Sequence, residues 1–204
     1  MIEALRDVVL APRCAGCGEP GSWYCTACRD LAEPRSIRGA IPIRSLGVHD
    51  GPLRRAIHRL KYGGERALAD DLGVLVGAEL ARDIACGAVV DAIVPVPLHR
   101  SRALARGYDQ AALLAEAVGR ATAVPVRHVL RRIRAGAPQV ELDRAARAAN
   151  VRKAFVAEAG SLRRLRVALV DDVATTGATL ADAAAAARAA GARSVAAYVV
   201  AVDE

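Results

Sequence analysis

The sequence predicts an α/β protein: a mostly parallel sheet with helices on both faces, preceded by a small N-terminal four-cysteine module. Three observations predict it. Short apolar, β-branched runs alternate with helical periods along most of the chain, the pattern of parallel strands joined by crossover helices. The run "RVALV" at 166–170 has no polar alternation and suits a central strand covered on both faces. Four of the five cysteines fall within the fifteen residues from Cys14 to Cys28.

At 204 residues the chain is long enough for one sizeable core and a small appendage, and too short for two full domains. The composition places the boundary near residue 36, with a zinc-ribbon-like module over 1–36 and the main domain over 37–204. Although 53% of residues are hydrophobic, no apolar run approaches the roughly 20 residues that span a bilayer. The start, "MIEALRDVVLAPRC", has neither a basic leader nor a small-residue cleavage site, so a cytoplasmic location is expected. A net charge of +7 and a pI near 9.6 favour anionic partners such as nucleotides, diphosphates or nucleic acid. Lys61 and Lys153 are the only lysines in an otherwise Arg-based complement of cations.

The cysteines read "CAGCGEPGSWYCTAC", with Cys14, Cys17, Cys25 and Cys28 in a C-x2-C-x7-C-x2-C spacing. Each C-x-x-C turns two thiolates toward one point, and two such knuckles complete the tetrahedral S4 site that structural Zn2+ fills. Gly16 and Gly18 suit the tight turn of a knuckle. The alternative is two redox pairs or free thiols, but neither pair sits where a strand leads into a helix. Cys86 stands alone in "IACGAVV" and is expected as a small buried residue.

After the cysteines, "EPRSIRGAIPIR" reads as a linker or a first edge strand. "PLRRAIHRLKYGGE" starts a helix at Pro52 and stops it at Gly63-Gly64, and a second helix is expected from about Glu65 to Ile84. "DAIVPVP" is a short strand, "RGYDQ" a loop, and "AALLAEAVGRA" a helix. "VPVRHVL" and "AFVAEA" read as strands flanking a short helix in "ELDRAARAAN". The Ala-rich stretch from 178 to 190 forms a helix that Gly191 ends, and "SVAAYVV" adds a last strand.

The turn between the 166–170 strand and the Ala-rich helix is therefore "DDVATTG", at the carboxyl edge of the sheet where open α/β proteins bind ligands. Gly177, Ala178 and the hydroxyls of Thr175, Thr176 and Thr179 surround a helix start, whose free N–H groups and dipole favour a phosphate. Asp171 and Asp172, as the strand ends, are placed to accept hydrogen bonds from sugar hydroxyls. A phosphorylated sugar with vicinal hydroxyls satisfies both halves. The alternative is that the two acids merely cap the turn.

Four apolar residues, two acids, a spacer and T-G-x-T resemble the phosphoribosyl pyrophosphate loop of type I phosphoribosyltransferases. The four-cysteine module, "LKYGGE", "VPVPLHRSRALARGYDQAALLA", "PQVELDRAARAANVRKAF" and "VALVDDVATTGATL" follow one another in the order seen in the ComF family. That resemblance departs at Tyr108-Asp109, where family members often carry Phe-Asn. It implies a type I phosphoribosyltransferase-like fold in which Asp171 and Asp172 serve as ribose-binding and catalytic residues. Ala174, Thr175, Thr176, Gly177, Ala178 and Thr179 would wrap the 5-phosphate. It further implies that "VPVPLH" forms a pyrophosphate loop, with Arg106 reaching the same anion, and that Mg2+ bridges pyrophosphate and ribose oxygens. Lys61 joins this set, its alternative being a solvated helix-end charge.

Gln139, Arg147 and Asn150 match the family pattern and read equally as caps and surface charge. His99 reads as a loop hydrogen bonder rather than a base. An active enzyme would displace pyrophosphate at ribose C1, and the sequence leaves both the acceptor and catalysis open. The competence role that the resemblance implies brings a second class of function, the binding of single-stranded DNA alongside competence proteins. "RHVLRRIR" (127–134) and "SLRRLR" (161–166) would neutralise backbone phosphates, or else form solvated faces. Aromatic residues at 3% exclude an extended base-stacking platform.

Overall fold

The computed structural model describes residues 12–133 and 154–203. Its centre is a five-stranded sheet in the order β1-β2-β7-β6-β3. Strand β1 (Arg35–Arg38) is an exposed edge, joined as an antiparallel hairpin to β2 (Pro42–Val48). Strands β2, β7 (Ser194–Val202), β6 (Arg166–Ala174) and β3 (Ala92–Pro95) all run parallel. The expected α/β architecture is present, and the "PIRSLGV" segment enters the sheet as a full parallel strand.

Side-chain alternation along β6 divides the interior into two layers. Ala168 and Val170 face one cluster, built with Leu53, Ala56, Ile57 and Leu60 of α2 (Gly51–Tyr62) and the buried faces of α3 (Leu68–Ala85) and α5 (Gln110–Thr122). Val167 and Leu169 face the other, with Leu180, Ala183, Ala184 and Ala187 of α6 (Ala178–Ala189). Where α3 crosses α5 the helices approach so closely that a Cβ on Gly73 would lie 2.4 Å from that of Ala117. No larger residue fits at Gly73 without moving a helix.

The cysteine segment packs into this interior. Cys14, Ala15, Tyr24 and Cys28 belong to the same buried cluster as α2, α3 and α5, and α1 (Thr26–Asp30) follows Cys25. The Tyr24 N–H donates to Asp71 Oδ2 of α3 at 2.9 Å. Arg55 Nε of α2 donates to the Gly16 carbonyl at 2.6 Å, and Arg59 Nη1 to that of Cys14 at 3.4 Å. Burial on one side and hydrogen bonds on the other make the module part of the fold's first layer.

Several expectations are corrected. "AFVAEA" yields only β5 (Phe155–Ala157), paired with β4 (Leu130–Arg132) in a separate two-stranded antiparallel ribbon. From "VPVRHVL" only Val126 reaches the main sheet, bridging Ile93. Pro125 cannot donate to a ladder, which limits pairing there. The stretch after "VPVPLH" contains an unexpected helix, α4 (Arg100–Arg106), which His99 starts and Gly107 ends. Cys86 is exposed at the end of α3 rather than buried, because the helix stops there and the chain turns out at Gly87. The short helix expected over 141–150 lies outside the described residues, as do Gln139, Arg147 and Asn150.

Candidate functional site

Strand β6 runs on through Asp171 and Asp172 to Ala174, so both acids are strand residues and only 175–177 form the turn. Following the alternation of the strand, Asp172 lies on the α2 side and Asp171 on the α6 side. Lys61, in the last turn of α2, meets Asp172 with Nζ 2.8 Å from Oδ1. Their side chains are 20% and 10% exposed, so this pair is held out of bulk solvent. Asp171 Oδ1 accepts the N–H of Asp172 at 2.8 Å. Loss of solvent and the neighbouring Asp172 charge push the Asp171 carboxyl well above the usual carboxylate range, against the Asp172 N–H and Lys61.

A carboxyl raised in the folded state retains a proton that the unfolded chain has lost. Its contribution to stability is therefore lost as pH rises from the ordinary carboxylate range toward the higher native value. Asp171→Asn is expected to unfold at a higher temperature than the parent, by an amount that grows with pH across that interval. Thermal melts at several pH values check this; a gap that narrows with rising pH refutes it.

After Ala174 the backbone reaches Gly177, whose φ of 73° is the left-handed region that a side chain strains. Glycine there offers no capping side chain, and the start of α6 is left open apart from the Ala178 N–H to Thr176 Oγ1 contact at 3.4 Å. Thr175, Thr176, Ala178 and Thr179 are exposed around it. Uncapped N–H groups beside three hydroxyls form an anion cradle.

The neighbouring strand delivers the second loop. Val96 N–H donates to the Val170 carbonyl at 2.9 Å, which carries 97–99 alongside the end of β6. Asp109 fixes that loop: its Oδ2 accepts the Leu98 N–H at 2.9 Å, while Oδ1 caps α5 through the N–H groups of Ala111 and Ala112. The Tyr108 hydroxyl donates to the Leu60 carbonyl, tying the same corner to α2. Tyr108-Asp109 thus has a positioning role. His99 Nδ1 accepts the Ser101 N–H at 3.4 Å and sits 2.8 Å from Ser101 Oγ, as a helix cap.

Arg106 donates to Gln110 Oε1 at 2.9 Å and lies 5.0 Å above the Tyr62 ring, beside Lys61 in sequence. Its guanidinium is engaged at the α2–α5 corner. Of the proposed phosphate-backbone clusters, Arg127, Arg131, Arg163 and Arg164 are exposed. Arg166 forms a two-pronged ion pair with Asp91 and Arg132 lies over Phe155, so neither belongs to an open cationic face. Arg134 lies outside the described residues.

The four cysteine sulfurs lie within 4.8 Å of one another, with Cys14–Cys28 at 3.7 Å and Cys17–Cys25 at 3.6 Å. These match the edge of about 3.8 Å in a tetrahedron of Zn–S bonds of about 2.3 Å, so the residues fit the ion. Burial opposes ionisation of Cys14, but N–H groups of Cys25, Cys17 and Gly16 outweigh it and bring the thiol down to about 6. Burial pushes the Cys28 thiol up, as does the hydrogen bond it shares with the Cys14 sulfur. One sulfur prepared as thiolate beside others that a cation must ionise is the chemistry of a metal site.

The sequence reading missed the outer face of α2, where Arg54, Arg55, His58 and Arg59 border a cavity of about 480 Å3. The signal was available as "RRAIHR", whose cations alternate with core positions at helical spacing.

No protein-family profile matches the chain. Among curated proteins it is 30% identical over 183 residues to "Competence protein F" of Haemophilus influenzae, covering 86% of this chain and 78% of that one. It is 31% identical to "DNA utilization protein YhgH" of Salmonella typhimurium, covering 84% and 75%. It is 28% identical to "Competence protein ComFC" of Bacillus subtilis, covering 82% and 68%. Similar solved structures include the glutamine phosphoribosylpyrophosphate amidotransferase from B. subtilis complexed with ADP and GMP, at 25% identity and a TM-score of 0.45 over 64% of this chain and a quarter (25%) of that one. A purine phosphoribosyltransferase from Pyrococcus horikoshii is similar at 20% identity and a TM-score of 0.38, over 66% and 73%.

Proposed function

Because the chain belongs to the competence protein F family, we propose that the end of β6 binds phosphoribosyl pyrophosphate, or a related nucleotide, together with Mg2+. The observation that carries the reading is the continuity of two features on one strand. Two adjacent acids, one held by Lys61, lead within six residues to an open helix start ringed by hydroxyls. Asp171 and Asp172 accept from the ribose hydroxyls, and Ala174 to Thr179 receive the 5-phosphate. Lys61 neutralises Asp172 in the free protein and becomes available to a phosphate oxygen when hydroxyls take its place. Mg2+, held near Asp171 and Asp172, would supply charge stabilisation for the diphosphate. In a transferase, the bond from ribose C1 to the diphosphate oxygen breaks as a bond from C1 to an acceptor nucleophile forms, and the diphosphate leaves with the electron pair.

Calorimetry of phosphoribosyl pyrophosphate with Mg2+ tests the binding. The parent protein is expected to bind, and Lys61→Ala to bind roughly ten- to a hundredfold more weakly, the worth of one charge-assisted hydrogen bond. No heat with the parent protein overturns the reading. Diphosphate release in the presence of candidate acceptors decides whether binding leads to catalysis.

The relatives' printed names, which refer to competence and to DNA utilization, favour a second reading in which the chain binds single-stranded DNA through its exposed arginines. Replacing Arg127, Arg131, Arg163 and Arg164 with Ala is expected to weaken binding across all sequences and to flatten its dependence on salt. An affinity indifferent to salt and to these substitutions excludes it.

A further inference from the structure

We propose that the cavity between the cysteine module and α2 is a second ligand site, which takes the diphosphate of a nucleoside diphosphate. The cavity holds about 480 Å3 and is lined by Ala15 from the module and by Asp50, Gly51, Arg54, Arg55, His58 and Arg59 from the start and outer face of α2. The cavity is open to solvent along α2, so a ligand there is held by the charges of its lining and not by enclosure.

The lining supplies both parts of such a ligand. Among the described residues Arg55 donates through Nε alone, to the Gly16 carbonyl at 2.6 Å, which fixes the side chain and directs no terminal N–H to another described residue. Arg54 is exposed and has no carboxylate partner among the described residues. Arg59 is offset by Glu65, to which it donates through Nε at 2.8 Å. Asp50 is then the one carboxylate in the lining. Planar guanidinium forks are matched to phosphate oxygens, and the first turn of α2 adds the positive end of its dipole. His58, whose ring centroid lies 4.9 Å from that of Tyr62, gives a base an aromatic surface at the far end.

Trp23 is the only tryptophan in the chain, and its carbonyl accepts the N–H of Ala15 in the cavity lining. A change in its fluorescence on ligand addition is expected as a second readout. Inorganic diphosphate, which does not absorb, and ADP, followed by calorimetry, serve as probes. Both are expected to bind, ADP more tightly, and Arg54→Ala/His58→Ala to weaken ADP at least tenfold. Asp50→Asn, which removes the one negative charge in the lining at nearly constant size, is expected to tighten binding. Asp171→Asn/Asp172→Asn is expected to retain the ADP binding that Arg54→Ala/His58→Ala loses.

That last variant keeps the outcome separate from the phosphoribosyl reading. ADP binding lost in Asp171→Asn/Asp172→Asn assigns the ligand to the end of β6 and overturns the second site. So does an ADP affinity unchanged in Arg54→Ala/His58→Ala. Oligonucleotide binding that Arg54→Ala/His58→Ala weakens, with no heat from diphosphate or ADP, assigns the face to a nucleic-acid backbone and overturns the small-ligand site.

Discussion

Stripping the metal from Cys14, Cys17, Cys25 and Cys28 is expected to weaken the phosphoribosyl site as well as the segment that holds the metal. Elemental analysis of the purified, unchelated protein should find about one Zn2+ per chain. Its removal leaves Cys14 and Cys28 as uncompensated polar groups inside the core cluster they share with Leu53, Ala56 and Leu60 of α2. It also loosens the carbonyls of Cys14 and Gly16 that hold Arg59 and Arg55. Helix α2 then loses support at one end, while Lys61 at the other has to reach Asp172. A cost of several kcal/mol, small beside the roughly 10–16 kcal/mol of structural zinc sites, lowers the midpoint of unfolding by on the order of 10 °C. Phosphoribosyl pyrophosphate affinity should fall in parallel. A chelated protein that loses order only up to residue 36, with an unchanged melt and unchanged ligand affinity, refutes the coupling.

Asp171→Asn/Asp172→Asn is the second large effect. The amides keep the size of the side chains and part of their hydrogen bonding, and remove the charge that accepts from ribose hydroxyls and favours a nearby Mg2+. Binding should weaken by on the order of 1.5 to 3 kcal/mol for each charged bond lost. The fold should survive, because the exchange removes the repulsion that raises Asp171. Lys61, left without a carboxylate, limits that gain. Calorimetry of phosphoribosyl pyrophosphate with Mg2+ on both proteins decides it: equal affinities mean that the acids serve only the turn.

What the sequence disclosed about these sites was what short-range chemistry determines. The strand, acids, hydroxyls and left-handed glycine of 166–180 are contiguous, and so are the four cysteines, so spacing alone identifies them. The partner of Asp172 was harder to read. Lys61 stands on a helix more than a hundred residues earlier, and only its rarity singled it out. Asp109, which secures the 97–99 loop, looked like a departure from a family pattern because its two hydrogen-bonding directions exist only once the loop and α5 meet. Strand β2 was hidden by Pro42 and by its polar Arg44 and Ser45, whose cost is offset by pairing with β7. The packing of the cysteine module against α2 was likewise illegible, since composition marks a boundary there that tertiary contacts cross.

The position of β7 has a consequence for how the protein is made. It lies between β2 and β6, so Ile43 and Ala197 are neighbours in the sheet although they lie far apart in the sequence. Until that last strand of the sequence is synthesised, β2 has no parallel partner and β6 is bare along one side. A nascent chain can gather its helices early, but it cannot close the sheet that joins the two layers before β7 is made. Such long-range closure is slow, and it leaves two strand edges available to other chains while it waits. Translation and assembly of this fold are therefore coupled at β7, and a stop ahead of it removes the piece that makes one sheet out of two.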